Sequence, residues 1–398
     1  MNILVINAGS SSIKFQLLEL PAERVVCSGM VERIGAVDAI LTYETSESQH
    51  SETTSIPNHH DGLQRILRLL LDPDKGVVKD ISDIDAVGHR VVHGGKEYSD
   101  TTLITQQVKE KIAELSALAP LHNPHNLEGI IVAEKLFPDA AQIAVFDTAF
   151  HQSIPVKAAK YALPAELFEK HDVQVYGFHG TSHKYVSEKA IQHLGTKSGK
   201  VISIHLGNGC SMTAIENGKS IDTSLGFAPS NGLIMGSRSG DVDHAIIFHL
   251  VNKLGYHLSD VERMISKESG MLGLTGYSDL RDIQRAAENG DQNCQLALEM
   301  NAYRIKKYIG SYAAILNGLD AIIFTAGIGE NSSLLRQMVC TNLDFLGVEL
   351  DRNKNDQRSN DLREIQSAES KVKILVVPTN EELEIAKQAH QLMMKRTI

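Results

Sequence analysis

Twice in this chain, roughly 200 residues apart, an apolar strand runs into a turn of Gly, Ser and Asn and comes straight back out. The first copy is Ile3 to Ile6, then Asn7-Ala8-Gly9-Ser10-Ser11-Ser12, then Ile13 to Leu17. The second is Val201 to Ile204, then His205-Leu206-Gly207-Asn208-Gly209-Cys210-Ser211, then Met212 to Ile215. Glycine lets a backbone approach an oxyanion closely, small hydroxyls donate to it, and successive turn N–H groups form an anion-binding nest. Two such hairpins facing each other would grip a polyphosphate from both sides.

At 398 residues the chain has room for two domains, each with its own core. Its 39 Lys and Arg against 49 Asp and Glu leave a net charge of −10, which disfavours general attraction to nucleic acid or an anionic membrane. Phosphate binding must therefore be local. Cys27, Cys210, Cys294 and Cys340 show no paired spacing, which argues against a zinc site or disulfide framework and fits a reducing cytoplasm. The run Ile3 to Ile6 is too short for a signal peptide, and no other stretch could span a bilayer. A soluble, untargeted protein is expected.

Helix-period segments alternate with short β-rich runs, the pattern of an α/β fold. Asp61 to Leu71, with Leu63, Ile66, Leu67 and Leu70 on one face, predicts a helix, and Val108, Ile112 and Leu115 mark another. Strands are expected at Asp85 to Val92 and Gln142 to Phe146, ending near Arg90 and Asp147, where open α/β sheets carry ligand-binding groups. A third glycine-rich turn, Thr325 to Asn331, follows the run Ala321 to Phe324 and leads into a helix from about Ser332 to Val339. The pattern from Gln295 to Asn317 predicts a long helix with Met300, Tyr303, Ile309, Tyr312 and Leu316 inward. After a last strand, Lys373 to Val377, a C-terminal helix starts at Glu381, with Thr379 and Glu382 at capping-box spacing. Asp351 to Ser370 reads as a polar surface excursion. A boundary near Phe150 to Ser153 is expected, because the second hairpin unit begins soon after it.

The block Asn7-Ala8-Gly9-Ser10-Ser11-Ser12-Ile13-Lys14 resembles the N-terminal signature of the acetate kinases. Further blocks follow in the family's order: Gly88 to Gly95, Ala119 to Pro124, Val145 to His151, Tyr176 to His183 and His205 to Gly209. Met235 to Asp241, Gly327 to Asn331 and Pro378 to Glu382 complete the set. One glycine turn alone would be a weak signal, whereas blocks across nearly the whole chain are specific. The resemblance implies duplicated ribonuclease H-like domains, the superfold of acetate and sugar kinases, heat-shock ATPases and actin. Residues 1–150 would form the first domain, completed by a helix over 381–398, and residues 151–380 the second. It also implies a homodimer and reversible, magnesium-dependent transfer of phosphoryl from ATP to acetate, with manganese as a substitute ion.

Phosphoryl transfer needs positioned positive charge and an in-line path more than it needs covalent chemistry. Arg90 and Arg238 each lie between an apolar run and a glycine turn, and a guanidinium fork can hold a carboxylate or the moving phosphoryl group. An arginine elsewhere would be read as a solvated surface charge. By resemblance His179 donates a ring N–H to the transferring oxygens, and His122 joins the substrate site. Without their blocks both would be ordinary packing histidines among 17. Asp147 is the family's catalytic carboxylate. Acetate is already ionised, so orienting Arg90 or a metal-bound water suits Asp147 better than general-base work, and a turn-capping Asp is the plain alternative. Asn7 and Glu381 are the family's metal-side residues, Glu381 doubling as a first-turn helix carboxylate. Lys14 can reach a phosphate as a point charge or simply face water.

For the nucleotide, the resemblance assigns the phosphates to His205, Leu206, Gly207, Asn208 and Gly209. Gly327, Ile328, Gly329, Glu330 and Asn331 fall to the adenosine side, with Asp279, Leu280 and Arg281 as a third segment. Leu280 stands where some members carry an aromatic residue, which removes a stacking surface for adenine. The acyl pocket resembles one lined by Val92, Leu121, Phe178 and Pro229. Valine at 92 keeps it small, and a methylene is worth only about 1–3 kcal/mol, so propionate is expected to be a poorer substrate that is still used. Pro229-Ser230-Asn231-Gly232 replaces the family's usual Pro-Leu-Glu-Gly, and His244 replaces a usual proline. The competing readings are a propionate-preferring acyl kinase and an actin- or chaperone-like ATPase. The ATPase class has no call for a paired-arginine carboxylate site, and no residues remain for a peptide-binding domain.

Overall fold

The computed structural model describes residues 1–196 and 199–396. It divides into two compact units, Met1–Phe150 with Asn380–Ile398, and His151–Thr379. Thr397 and Ile398, within the expected C-terminal helix, lie outside the described residues.

The first unit is built on eight strands: β1 (Asn2–Ala8), β2 (Ser12–Glu19), β3 (Arg24–Glu32), β4 (Ala39–Thr45), β5 (Gln49–Thr54), β6 (Ala86–Val91), β7 (Thr102–Leu103) and β8 (Ala141–Phe146). They form one sheet in the order β5-β4-β3-β2-β1-β6-β8-β7. The first five make an antiparallel meander, and β6 and β8 then run parallel to β1. The second unit carries β9 (Lys200–Leu206), β10 (Cys210–Glu216), β11 (Lys219–Thr223), β12 (Ala321–Thr325), β13 (Arg363–Glu364) and β14 (Lys373–Val376) in the order β11-β10-β9-β12-β14-β13. Here too an antiparallel hairpin unit is followed by two strands parallel to its first member. The order 3-2-1-4-5 therefore recurs in both units, as the doubled hairpin predicts, and this is the duplicated ribonuclease H-like arrangement.

In the first unit the central strands bury nearly continuous apolar runs, such as Ile3 to Ile6, against helices. Leu63, Ile66 and Leu70 of the helix His59–Leu70 pack with Phe15, Leu17 and Leu41 from the sheet. The helix begins at an Asn58 cap whose side chain accepts from Asp61 N. The helix Glu381–Arg396 also lies on this sheet, and Gly88 of β6 makes room for it. A Cβ on Gly88 would meet Ile385 Cγ2 at 2.8 Å, too close to tolerate.

Several expectations need correction. The helix over residues 292–316 buries Ile309, Tyr312 and Leu316, but Met300 is exposed and Tyr303 is 66% exposed. The inward stripe runs through Ala297, Leu298, Asn301, Ala302 and Ile305 instead, positions that continue the three- and four-residue spacing back from Ile309, whereas Met300 and Tyr303 fall off it. Thr325 to Asn331 is not an open turn: Ala326–Asn331 forms a short helix of its own, entered through Ala326 at φ 64°. The C-terminal helix is capped by Asn380, whose Oδ1 accepts from Leu383 N at 2.9 Å, and not by Thr379, whose hydroxyl meets Ser182 at 2.9 Å. Residues 351–370 are only partly a surface excursion, since Asn355, Ile365 and Gln366 are buried and β13 pairs with β14.

His89 in β6 is buried, with its Nε2 2.8 Å from Gln142 Oε1, and burial pushes its pKa down to about 4. The unfolded chain takes up a proton near pH ~6.5 that the folded chain refuses, so this group's contribution is intact above ~6.5 and is lost as pH falls toward 4. Relative to His89→Gln, the wild type should lose about 2 kcal/mol more stability of the first unit between about pH 7 and about pH 5. Urea denaturation at the two pH values measures the difference.

Candidate active site

Sheet register assembles the polar groups of the first unit. Ile6 pairs with His89, so Asn7 and Arg90 follow side by side at the ends of parallel β1 and β6. Val91 pairs with Phe146, so Asp147 emerges from β8 next to them. Three candidate side chains thus leave the carboxyl ends of three adjacent parallel strands, where open α/β sheets hold ligands. The Arg90 guanidinium donates through Nη2 to Asp147 and through Nη1 to Asn7 Oδ1 at 3.5 Å. Burial alone would lower its pKa, but the Asp147 and Glu381 carboxylates outweigh that and raise it, so the cation is permanent. Its Nε is buried without a hydrogen-bond partner, 3.8 Å from Glu381 Oε2.

Glu381 opens the helix laid across β1 and β6. Burial raises its pKa, as do Asp147 and Glu382, while Arg90 opposes. Lys14, which pairs across the hairpin with Asn7, is 54% exposed at its side chain, and its Nζ lies 2.8 Å from Glu382. Sequence reasoning missed Glu382 as its partner. It also missed Asn126, which donates to Ala8 O at 2.7 Å and accepts from Val92 N at 3.1 Å, tying the end of β1 to the end of β6. No local pattern announces a long-range amide of this kind. Val92 is buried, His122 half-buried at the start of the helix Asn123–Leu136, and Leu121 58% exposed.

In the second unit His179 sits at φ 57° just before the helix Gly180–His193, a left-handed conformation that costs about 1–3 kcal/mol. His179 Nδ1 meets Ser211 Oγ at 2.8 Å, and the same hydroxyl lies 2.7 Å from His183 Nε2, whose Nδ1 reaches Ser203 Oγ at 2.8 Å. His205 Nδ1 bonds Ser182 Oγ at 2.9 Å and its ring stacks on His179 at 4.4 Å. A serine hydroxyl has one proton, so Ser211 donates to one ring and accepts from the other. This relay escaped the sequence, since its members come from different elements.

Gly209 shows where these groups converge. A Cβ there would lie 3.3 Å from His179 Nε2 and 3.7 Å from an Arg238 Nη2, so its absence keeps a face open between them. Arg238 donates through Nη1 to Pro229 O, and burial lowers its pKa. Phe178 is buried beside His179, and Pro229 is half-buried.

A cleft of about 710 Å³ opens in the same unit, within the range of small-molecule sites. Of the expected nucleotide residues, Gly207, Asn208, Asp279, Leu280, Arg281, Gly327, Ile328 and Asn331 line it. Ser278, Gln284, Ser332 and Arg358 also line it and were not foreseen. His205, Leu206, Gly209, Gly329 and Glu330 do not: His205 and Leu206 are buried, and Glu330 Oε1 accepts from Thr379 N at 3.0 Å. The buried Arg336 donates to Gly329 O and Glu330 O at 2.8 and 2.9 Å, holding the short helix from behind. Asp279 caps the helix Leu280–Glu288 and chelates Arg281, whose donors hold its pKa down to about 2.

Comparison with known proteins agrees with this architecture. The family model described as the acetokinase family matches residues 2–387. A protein named acetate kinase from Flavobacterium johnsoniae is 61% identical over 393 residues, covering 99% of this chain and 100% of the relative. The crystal structure of Porphyromonas gingivalis acetate kinase superposes with a TM-score of 0.93 at 43% identity, covering 98% of this chain and 99% of that one. That of a propionate kinase from Francisella tularensis gives a TM-score of 0.92 at 41% identity, covering 97% and 98%. With a family match along nearly its whole length and a relative of that similarity, the chain belongs to the acetokinase family.

Proposed function

We infer that this protein is a phosphotransferase that moves the terminal phosphoryl group of ATP reversibly onto acetate, giving acetyl phosphate and ADP. The observation that carries this is the 61% identity to an acetate kinase over 99% of the chain. A carboxylate oxygen of acetate attacks the γ-phosphorus in line, and the bond to the β,γ-bridging oxygen breaks, its electron pair leaving on ADP. No proton moves, because nucleophile and leaving group are both anions. The residues' task is therefore to offset charge and hold geometry.

Arg90, braced by Asp147, is proposed to orient the acceptor carboxylate or an equatorial phosphoryl oxygen, and Asp147 to act as its positioning residue. Arg238 and His179 are proposed to stabilise the moving phosphoryl group, with Ser211 setting the ring orientation of His179. The cleft lined by Gly207, Asn208, Asp279 to Arg281, Gly327, Ile328 and Asn331 is proposed to take the nucleotide. Lys14 adds a point charge beside the first hairpin, and His122 joins Val92, Leu121, Phe178 and Pro229 around the acyl group.

Acetate kinases use ATP with a divalent metal, and this chain offers donors suited to magnesium. Asn7 Oδ1 and the Glu381 carboxylate are hard oxygens whose contacts to Arg90, at 3.5 and 3.8 Å, leave lone pairs for an ion that keeps most of its waters. Asn7 and Glu381 would hold Mg²⁺, or Mn²⁺ in its place. When bound, the ion supplies neutralising charge to the phosphate oxygens.

The helix His244–Asn252 has no buried residue and exposes Ile246 and Phe248, the latter at 62%, with Leu254 and Leu258 nearby. Such an apolar surface is proposed to be covered by a second copy in a two-fold dimer. Among the described residues no helix is long and apolar enough to cross a membrane, and all four cysteines are free and buried. A cytoplasmic setting is proposed on that basis.

ATP-dependent hydroxamate trapping should yield acetyl hydroxamate, with less product from propionate and least from butyrate. ATP hydrolysis without trapped acyl phosphate would overturn the reading. A propionate preference is the second outcome to watch, favoured by the likeness to a propionate kinase. In the same assay Arg90→Ala or Arg238→Ala should lower kcat by about 10³-fold or more, measured at a temperature where circular dichroism shows each variant folded, because Arg90→Ala also removes the ion pair of the buried Asp147. Phe248→Asp should shift the protein to monomer in light scattering, whereas an unchanged mass would place the interface elsewhere.

A further inference from the structure

His59, the first residue of the helix His59–Leu70, is 4% exposed and faces the helix Asn123–Leu136. Its Nε2 lies 2.6 Å from Gly9 O, inside the first hairpin turn. A carbonyl oxygen can only accept, so Nε2 carries the proton and a neutral ring presents its Nδ1 lone pair outward. That lone pair points at another acceptor, Glu128 Oε2, at 3.4 Å. His125, one helical turn before Glu128, brings its own Nδ1 to 4.0 Å from the same oxygen, and its ring stacks on that of His59 at 5.7 Å. One donor atom from each of the three residues lies within 4.8 Å of the others. Acceptors that face one another in this way are bridged either by a proton or by a metal cation.

We propose that His59, His125 and Glu128 bind a divalent transition metal of the zinc class. Two imidazoles and one carboxylate form a three-ligand zinc set with a fourth position for water, whereas magnesium takes oxygen donors. Tetrahedral bonds of about 2.0–2.1 Å place ligand atoms about 3.3 Å apart, which the His59–Glu128 pair already approaches. The half-buried His125 and exposed Glu128 have the rotamer freedom to close the rest. The His59–Gly9 bond is the outer contact that metal-binding histidines characteristically make, fixing tautomer and ring plane. Asn126, beside His125, holds Ala8 O at 2.7 Å, so the same two helices grip consecutive carbonyls of the turn. An ion joining these helices would stiffen the hairpin proposed to touch phosphate, from outside the Asn7 and Glu381 pair.

The test uses the full chain, stripped of metal and kept in excess Mg²⁺. Co²⁺ titration should show one equivalent bound with tetrahedral visible absorption, displaced by Zn²⁺, and Zn²⁺ should raise the melting temperature. His125→Ala and Glu128→Gln, both on the outer part of the cluster, should each weaken Zn²⁺ at least about 10-fold and abolish the thermal shift. His59→Gln should do the same but risks misfolding, which is why the two outer variants decide. Absence of Zn²⁺ uptake by wild type would reduce the cluster to an imidazolium–carboxylate pair and overturn the proposal. Uptake unchanged in both outer variants would overturn it as well, by placing the ion elsewhere. Metal uptake is read without turnover, so failure of the hydroxamate assay would not bear on it.

Discussion

The parallel pairing of β1, β6 and β8 is the constraint on which the first unit's chemistry depends. Hydrogen-bonded register places Ile6 against His89 and Val91 against Phe146, so Asn7, Arg90 and Asp147 emerge together at one edge. A slip of one residue in β6 would send Arg90 to the opposite face. Burying its guanidinium would be costly without partners, and Asp147 with Glu381 offsets that cost. The helix that carries Glu381 can approach only because Gly88 has no side chain. Strand pairing, helix packing and electrostatics are thus one problem with one solution.

The second unit solves a similar problem with histidines and serines. Its equivalent strands also end in polar positions, where Thr325 pairs with His205 across β12 and β9. Ser211 bridges His179 and His183, Ser203 meets His183, and Ser182 meets His205, whose ring stacks on His179. Burial lowers the pKa of His183 far below its ordinary value, keeping it neutral so that it can accept or donate through the relay. Positive charge there comes from Arg238, whose side chain shares the Gly209 face with His179. One fold therefore supports two chemical styles, set by what the strand ends carry.

Local patterns made much of this legible. Alternating and continuous apolar runs marked β1, β2, β6, β8 to β10, β12 and β14, and the glycine turns marked the two hairpins. Arg90 and Asp147 stood out near the ends of expected strands, and Asn7 through the block it shares with the acetate kinases. Other features were hidden for physical reasons. Met300 and Tyr303 looked inward by size, yet the helix turns the face through Ala297, Leu298, Asn301, Ala302 and Ile305 to its neighbours. Thr379 had the spacing of a cap, but its hydroxyl is taken by Ser182, nearly 200 residues away in sequence. Asn126 and Glu382 act through long-range polar bonds, which leave no periodic trace.

What the sequence determined alone is the class of fold and the inventory: a doubled strand–turn–strand unit, apolar periodicity sufficient for two cores, and functional residue types at strand ends. These depend on spacing along the chain, which folding does not alter. Only the tertiary structure decided which of those groups meet. Lys14 is drawn to Glu382, Leu121 is left exposed, and His59, His125 and Glu128 are brought into one cluster. Such contacts join residues from separate elements, and their existence depends on register and helix packing, which no local stretch of sequence encodes.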